Sequence, residues 1–313
     1  MQPAATIINP LVTFPERAVK PTHRDRCHNV LSEHLCDVVI ENTTVQFDQP
    51  SDALDEAIVE YWNERSDGYS CCVCEELVGS TYRNWYQLFH DKLDGLVART
   101  NAQQHQPRAL DLGCGPGFFS IVLARMGCVV DAVDSSAGML EKARQNNIAA
   151  HTFNQVSFHE GDVAILPFKD NSFDVIALRN VTWLMRDPEA AYREWKRVLA
   201  PGGKLLVFDA NWYSYLVNPE IDAQRIQDES AVDFSRQEVN GFASDEQERH
   251  CEVIARALPS TYLQRPMWDV QMLNKLGYSD VSSDESVWKV LWNEEEQEFY
   301  RSSPLFLIEA TKE

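Results

Sequence analysis

The sequence predicts an α/β fold, a parallel sheet covered by helices on both faces, and three observations carry that prediction. Between residues 108 and 208, short apolar runs alternate with stretches at helical spacing, the rhythm of strand–crossover–strand units. A glycine-rich turn, Gly113-Cys114-Gly115-Pro116-Gly117, follows the first of these runs directly. In such folds that turn opens a helix whose N-terminal amides face the carboxyl edge of the sheet. The second run ends in an acid, Asp134.

Residues 1–50 mix Pro3, Pro10, Pro15 and Pro21 with short apolar stretches such as Val38-Val39-Ile40, and read as an irregular arm with one short strand. Ser51 and Asp52 cap a helix in which Leu54, Ile58, Tyr61 and Trp62 recur at helical spacing. A second helix gathers Trp85, Leu88, Phe89, Leu93, Leu96 and Val97 on one side. Arg108 to Leu112 is the first buried strand, followed by a helix from Phe118 to Met126 that stops at Gly127. Cys128 to Val133 is the second strand and Ser136 to Gln145 the next helix. Val156 to His159 and Phe173 to Leu178 are the third and fourth strands.

Asp187-Pro188 pairs an N-cap acid with proline at the first helical position, starting a helix that runs through Tyr192, Trp195 and Leu199. Pro201-Gly202-Gly203 reads as a structural helix-to-strand turn before a fifth strand, Lys204 to Phe208. About fifty residues then pass before another sheet-like pattern, with a helix expected from Asp245 to Ala257; an insertion of this length in a compact domain is usually a lid. Ser286 to Trp292 and Pro304 to Ala310 read as the final strand pair. The expected organisation is an arm over 1–50, a core over 51–211, a lid over 212–259 and a completion of the core sheet over 260–313.

Composition excludes several classes. With 44% hydrophobic and 24% charged residues the 313-residue chain is globular rather than disordered or fibrous. A formal net charge of -20 repels phosphate backbones and anionic lipid, so neither nucleic acid nor membrane is an expected partner. No signal-like N-terminus or membrane-length apolar run is read, and a cytoplasmic location is expected. Eight cysteines are too dilute for a disulfide scaffold. Cys71-Cys72-Val73-Cys74 supplies one C-x-x-C, and the arm adds His23, Cys27, His28, His34 and Cys36, but the second ligand pair of a zinc site is missing and no metal is assigned.

The chemistry begins at Asp111-Leu112-Gly113-Cys114-Gly115-Pro116-Gly117. Glycines there let the backbone turn tightly and approach a ligand. Their G-x-G-x-G spacing departs from the G-x-G-x-x-G turn that cradles a dinucleotide pyrophosphate, which opposes an NAD-dependent oxidoreductase. Asp134, at the end of the second strand, is placed to accept both ribose hydroxyls of an adenosine; Met139 is placed to lie on the adenine face and Asp162 to reach its amino group. Taken singly, Asp111 is equally a strand-end cap and Met139 equally a core residue.

Four ordered motifs then coincide: Leu110 to Gly117, Val133-Asp134-Ser135-Ser136 through Met139, Glu160-Gly161-Asp162, and Arg197 to Lys204. Over roughly residues 61–209 the chain resembles the class I S-adenosylmethionine-dependent methyltransferases of type 11, nearest to the ubiquinone/menaquinone C-methyltransferase group. The resemblance implies a Rossmann-like sheet of seven strands with the last antiparallel, and S-adenosyl-L-methionine as cofactor. It implies Gly113, Gly115 and Gly117 under the methionyl part, Asp134 with Ser135 at the ribose, Asp162 with Val163 at the adenine, and Asp111 within the first motif. Tyr69 resembles the tyrosine that closes over the cofactor.

Arg179-Asn180-Val181-Thr182 resembles the segment in the quinone enzymes whose arginine and asparagine face the ring being methylated, so Arg179 and Asn180 are the candidate catalytic residues. A salt bridge to a nearby acid is the alternative for Arg179. The chain departs from that pattern at Trp183-Leu184-Met185, which makes the site more apolar. The expected activity is in-line methyl transfer to a small-molecule acceptor, and Trp183, Trp212, Tyr213 and Trp268 suit a flat or cationic one. A non-catalytic or regulatory S-adenosylmethionine-binding protein, and a quinone-type or soft-acceptor (thiol or arsenical) enzyme, stay open as alternatives, and the oligomeric state is not read.

Overall fold

The computed structural model describes residues 51–102, 105–231 and 243–313, and the expected arm with its strand and its His and Cys residues lies outside them. Two helices come first, α1 (Ser51–Val78) and α2 (Thr81–Ala102). The sheet then builds as β1 (Arg108–Leu112), α3 (Phe118–Arg125), β2 (Val129–Asp134), α4 (Ala137–Ala149), β3 (Val156–Glu160), β4 (Phe173–Arg179), α5 (Pro188–Val198) and β5 (Leu199–Asp209). The chain leaves the sheet for α6 (Pro219–Ala231), α7 (Asp245–Arg256) and α8 (Met267–Lys275), and returns through β6 (Tyr278–Asp284), α9 (Trp288–Leu291), α10 (Glu294–Phe299) and β7 (Phe306–Lys312).

The seven strands lie in the order β3-β2-β1-β4-β5-β7-β6. β1 through β5 pair in parallel, and β7, the last in the chain, is antiparallel to both β5 and β6. β1 sits centrally, and the order turns back on itself between β1 and β4, so the carboxyl ends of these two strands flank the crevice where ligands of such sheets bind. One face of the sheet packs Trp85, Phe89, Phe119 and Phe208, with ring centroids 4.8 to 5.7 Å apart across these elements. The other packs Phe173, Tyr192, Trp195 and Leu199. Local signals account for the helix starts: Ser136 accepts the amide of Met139 at 3.0 Å and Asp187 that of Ala190 at 2.9 Å.

Two expectations need correcting. Ser286 to Trp292 is not a strand; it holds α9, with Val287 and Leu291 buried four residues apart. Asp284 Oδ1 accepts both the amide and the hydroxyl of Ser286, and this turn ends β6 and starts the helix. The strand that pairs with β7 is Tyr278–Asp284, hidden in the sequence because only Tyr278 is buried. Pro201-Gly202-Gly203 is not a separate turn either: β5 begins at Leu199, directly after α5, and the three residues lie inside it at a register shift against β4. Gly202 has φ +71°, and a Cβ on Gly203 would sit 2.8 Å from the carbonyl oxygen of Ala200.

Candidate active site

The turn after β1 requires its glycines. Gly113, Gly115 and Gly117 have φ of +60°, +49° and +87°, in the left-handed region where a side chain is strained. A Cβ on Gly113 would meet Val181 Cγ2 at 2.4 Å, and one on Gly117 would meet Asn147 Nδ2 at 2.7 Å. The turn is tied to β2 by Asp134, whose Oδ2 accepts the amide of Gly115 at 2.8 Å and whose Oδ1 accepts that of Ser136 at 2.9 Å. Burial pushes the carboxyl above its ordinary range despite the backbone amides of Ser136, Gly115 and Ser135.

Beside the turn lies a cavity of about 310 Å³. It brings together Tyr69, Gly113, Gly115, Asp134, Ser135, Met139, Asp162 and Val163, and Arg179 and Asn180 line it too. Asp162 Oδ1 accepts the amide of Ala164 at 2.7 Å, and the Val163 carbonyl accepts Trp195 Nε1 at 2.8 Å, so both are fixed from behind. Asp111 and Gly117 are not among the lining residues. Gly117 packs on α4 through Ala143 and Asn147. The Asp111 carboxyl turns toward α3 and accepts the Ser120 hydroxyl at 2.5 Å.

Burial pushes the Asp111 carboxyl up to about 7, against the lowering effect of Ser120. Because the folded form then holds its proton where the unfolded one has lost it, this group makes stability fall as pH rises from about 4 to about 7. Asp111→Asn keeps an acceptor for Ser120 and is expected to flatten that fall. Urea midpoints at pH 4.5 and pH 8 test it; an equal midpoint difference in the two proteins would refute the buried-proton account.

One wall of both ligand-sized spaces is α1, and most of it was missed from sequence. Asn63 Oδ1 accepts the Ser136 hydroxyl at 2.8 Å and the Gly138 amide at 2.9 Å, pinning α1 to the start of α4. Trp62 packs edge-on against Tyr69 at 5.6 Å. The legible signal was spacing: Trp62, Arg65, Tyr69, Cys72 and Glu76 recur every three or four residues, one helical stripe of chemistry-bearing side chains.

A second cavity, of about 510 Å³, adjoins the first and shares Trp62, Tyr69, Arg179 and Asn180 with it. Arg179 makes the salt bridge read as its alternative: Nη1 and Nη2 donate to the two carboxylate oxygens of Glu76 at 2.7 and 3.0 Å. Its guanidinium lies 4.8 to 5.6 Å from the ring centroids of Phe118, Trp85 and Phe119. Asn180 has φ +59°, a strained value for a side-chain-bearing residue, and its Oδ1 is buried without a hydrogen-bond partner.

Trp183, Trp212 and Tyr213 line this second cavity, whereas Trp268 packs against the sheet core. The segment after β5 contributes Tyr215, Glu229, Cys251 and Glu252 as well, and α7 buries Cys251, Ile254 and Ala255 in a cluster with Leu54, Tyr61 and Trp183. Trp183 and Trp212 are held by a buried network absent from the sequence reading: Asp209 Oδ2 accepts the Trp183 amide at 2.9 Å, and Oδ1 accepts Trp212 Nε1 at 3.1 Å. Of the cysteine cluster on α1, Cys71 and Cys74 are exposed and Cys72 lines the cavity. Burial pushes the Cys72 thiol up to about 11, so it stays protonated at neutral pH.

Residues 110–207 match the methyltransferase domain family. The chain is 35% identical over 121 residues to an uncharacterized methyltransferase of Schizosaccharomyces pombe, covering 36% of this chain and 43% of that protein. It is also 35% identical over 129 residues to the demethylmenaquinone methyltransferase of Renibacterium salmoninarum, covering 40% of this chain and 47% of that one. The match therefore spans less than half the length of either relative. Among solved structures, the phosphoethanolamine N-methyltransferase 2 of Haemonchus contortus in complex with S-adenosyl-L-methionine aligns with 66% of this chain and 49% of its own, at 19% identity and a TM-score of 0.45.

Proposed function

We propose that this chain, which carries a methyltransferase domain over residues 110–207, transfers the methyl group of S-adenosyl-L-methionine to a small-molecule acceptor held in the larger cavity. The observation that carries the reading is the junction of the two cavities: they meet at Trp62, Tyr69, Arg179 and Asn180, and Asn180 offers an unpaired buried oxygen there.

The smaller cavity suits the cofactor in its donor set. Asp134 brings a carboxylate to the cavity wall as acceptor for vicinal hydroxyls, Asp162 and Val163 stand where an adenine edge is read, and Met139 offers an apolar face. A Cβ on Gly115 would project to 3.8 Å from the Tyr69 ring, into the space that the methionyl part requires. When bound, the cofactor supplies an electrophilic methyl on a sulfonium. The protein's task is then to align the acceptor and exclude water. Tyr69 and Trp62 close the space from α1. Glu76 and the three rings hold Arg179 immobile at the junction wall, making it a positioning residue, while Asn180 touches the acceptor.

In this reading residues 51–211 are the core, 260–313 complete its sheet, and 212–259 act as a lid whose α7 packs with Leu54 and Tyr61 of α1 and with Trp183. Asn180→Ala is expected to lower kcat about ten- to a hundred-fold, the range for one lost transition-state hydrogen bond, with little change in the Kd for S-adenosyl-L-methionine. Labelled-methyl turnover on a metabolite pool and calorimetric titration of the cofactor measure the two. A variant that loses cofactor affinity but not turnover would move Asn180 from the acceptor to the cofactor.

A further inference from the structure

The larger cavity is strongly one-signed. Among the described residues seven glutamates and three arginines line it. Two of those arginines are already committed, Arg179 to Glu76 at 2.7 Å and Arg225 to Asp222 and Glu229 at 2.9 and 2.6 Å. Glu252 accepts the Tyr215 hydroxyl, a neutral partner, at 2.8 Å. Glu296 Oε2 accepts the Asn293 amide at 2.8 Å and makes no salt bridge among the described residues; burial and the charge of Glu76 push its carboxyl up to about 7, against the opposing charge of Arg179. Negative charge in a half-buried, low-dielectric hollow repels phosphates and carboxylates and concentrates cations.

The walls act in the same direction. Trp212, Trp292 and Tyr300 form one connected aromatic cluster, with Tyr300 edge-on to Trp212 and Trp292 tilted against both and centroids 5.4 to 6.4 Å apart, and Trp183 lies tilted against Tyr213 at 4.8 Å. Aromatic faces attract cations and accommodate flat apolar bodies. Independently of the carboxylates, Asn180 Oδ1 is an acceptor without a donor at the point where this cavity meets the smaller one. A neutral ring lacking N–H groups leaves that atom unsatisfied, whereas an ammonium or amine satisfies it.

Resting on the methyltransferase reading, we propose that the acceptor is an aromatic or heterocyclic amine, cationic in solution. Its apolar body lies against the Trp212–Trp292–Tyr300 wall and its nitrogen is directed to Glu296 and Asn180; the ammonium gives one proton to the Glu296 carboxylate, and the freed lone pair forms the N–C bond to the methyl as the methyl–sulfur bond breaks and S-adenosyl-L-homocysteine leaves.

The test is calorimetric titration of matched probes into the full chain: tryptamine, its neutral isostere 3-propylindole and its anionic counterpart indole-3-propionate, followed by further amine, neutral and acid sets built on phenyl and quinoline rings. The amine of each set is expected to bind at least about ten-fold more tightly than its neutral partner, with the preference shrinking at high salt. Glu296→Gln keeps a side-chain oxygen for the Asn293 amide and is expected to remove most of that preference while leaving S-adenosyl-L-homocysteine affinity unchanged. Equal binding of the neutral or acidic members, or no binding of any amine, overturns the proposal. Failure of S-adenosyl-L-homocysteine to bind strikes the methyltransferase reading instead, since the charge preference is read from the probes alone.

Discussion

Arg265→Met is expected to destabilise the fold by about 3–5 kcal/mol, the cost of removing one partner from a buried ionic network. The Arg265 side chain is 2% exposed and lies between two carboxylates that are themselves 0% and 1% exposed. Nη1 donates to Asp209 at 3.1 Å, Nε to Asp269 at 2.9 Å, and Nη2 to the Thr182 hydroxyl. Tyr192 donates to Asp269 at 2.7 Å from the other side. Methionine fills much of the volume but leaves two acids with no counter-charge, and one of them must take up a proton. Urea unfolding measures the loss, and adding Asp209→Asn should return part of it by removing one orphaned charge. A loss below about 1 kcal/mol would place the network among neutral surface-like pairs and refute this account. The same variant is expected to loosen Trp183 and Trp212, because Asp209 holds both, so acceptor binding should weaken before cofactor binding does.

β1, β2, β4 and β5 were legible because they carry continuous buried apolar runs bounded by glycine, proline or a capping acid, and the edge strand β3, with only Val156 buried, because it leads directly into Glu160-Gly161-Asp162. Leu110, Val130, Ile176 and Leu206 are each 0% exposed, and continuous apolar runs of that kind have few other solutions. β6 was not legible, since an edge strand with one buried residue carries no such run. The smaller cavity was legible for the same reason as the sheet: its residues follow strand ends at fixed offsets, so local order determines which side chains converge. What local order does not contain is a partner about fifty to a hundred residues away. The Glu76–Arg179 pair, the Arg265–Asp209 network and the wall shared by Trp212, Trp292 and Tyr300 all join distant segments, and no spacing rule in one sequence reports them. Asp111 shows the opposite failure, a residue in the right motif whose carboxyl is drawn behind the turn by a hydroxyl on α3.

Asp134→Ala is expected to raise the Kd for S-adenosyl-L-methionine by a factor of about a hundred to about twenty thousand while the protein remains folded. The assignment gives the carboxylate two charge-assisted hydrogen bonds to the ribose, each on the order of 1.5–3 kcal/mol, and tenfold in Kd corresponds to about 1.4 kcal/mol. The carboxylate also holds the turn, accepting the amides of Gly115 and Ser136, so alanine releases those as well. Asp134→Asn separates the two effects. It retains one oxygen for a backbone amide and one potential ribose contact, but it loses the charge and puts an N–H where an acceptor was needed. The expected order of affinity is therefore wild type, then asparagine, then alanine, with thermal unfolding in the absence of ligand shifted far less than the Kd. Calorimetric titration with S-adenosyl-L-methionine gives the affinities, and titration with adenosine alone should reproduce the loss, because the contact is to the ribose. If alanine lowers the melting temperature severely and leaves the Kd of the folded fraction unchanged, Asp134 is a strut for the glycine turn and the ribose must be held elsewhere.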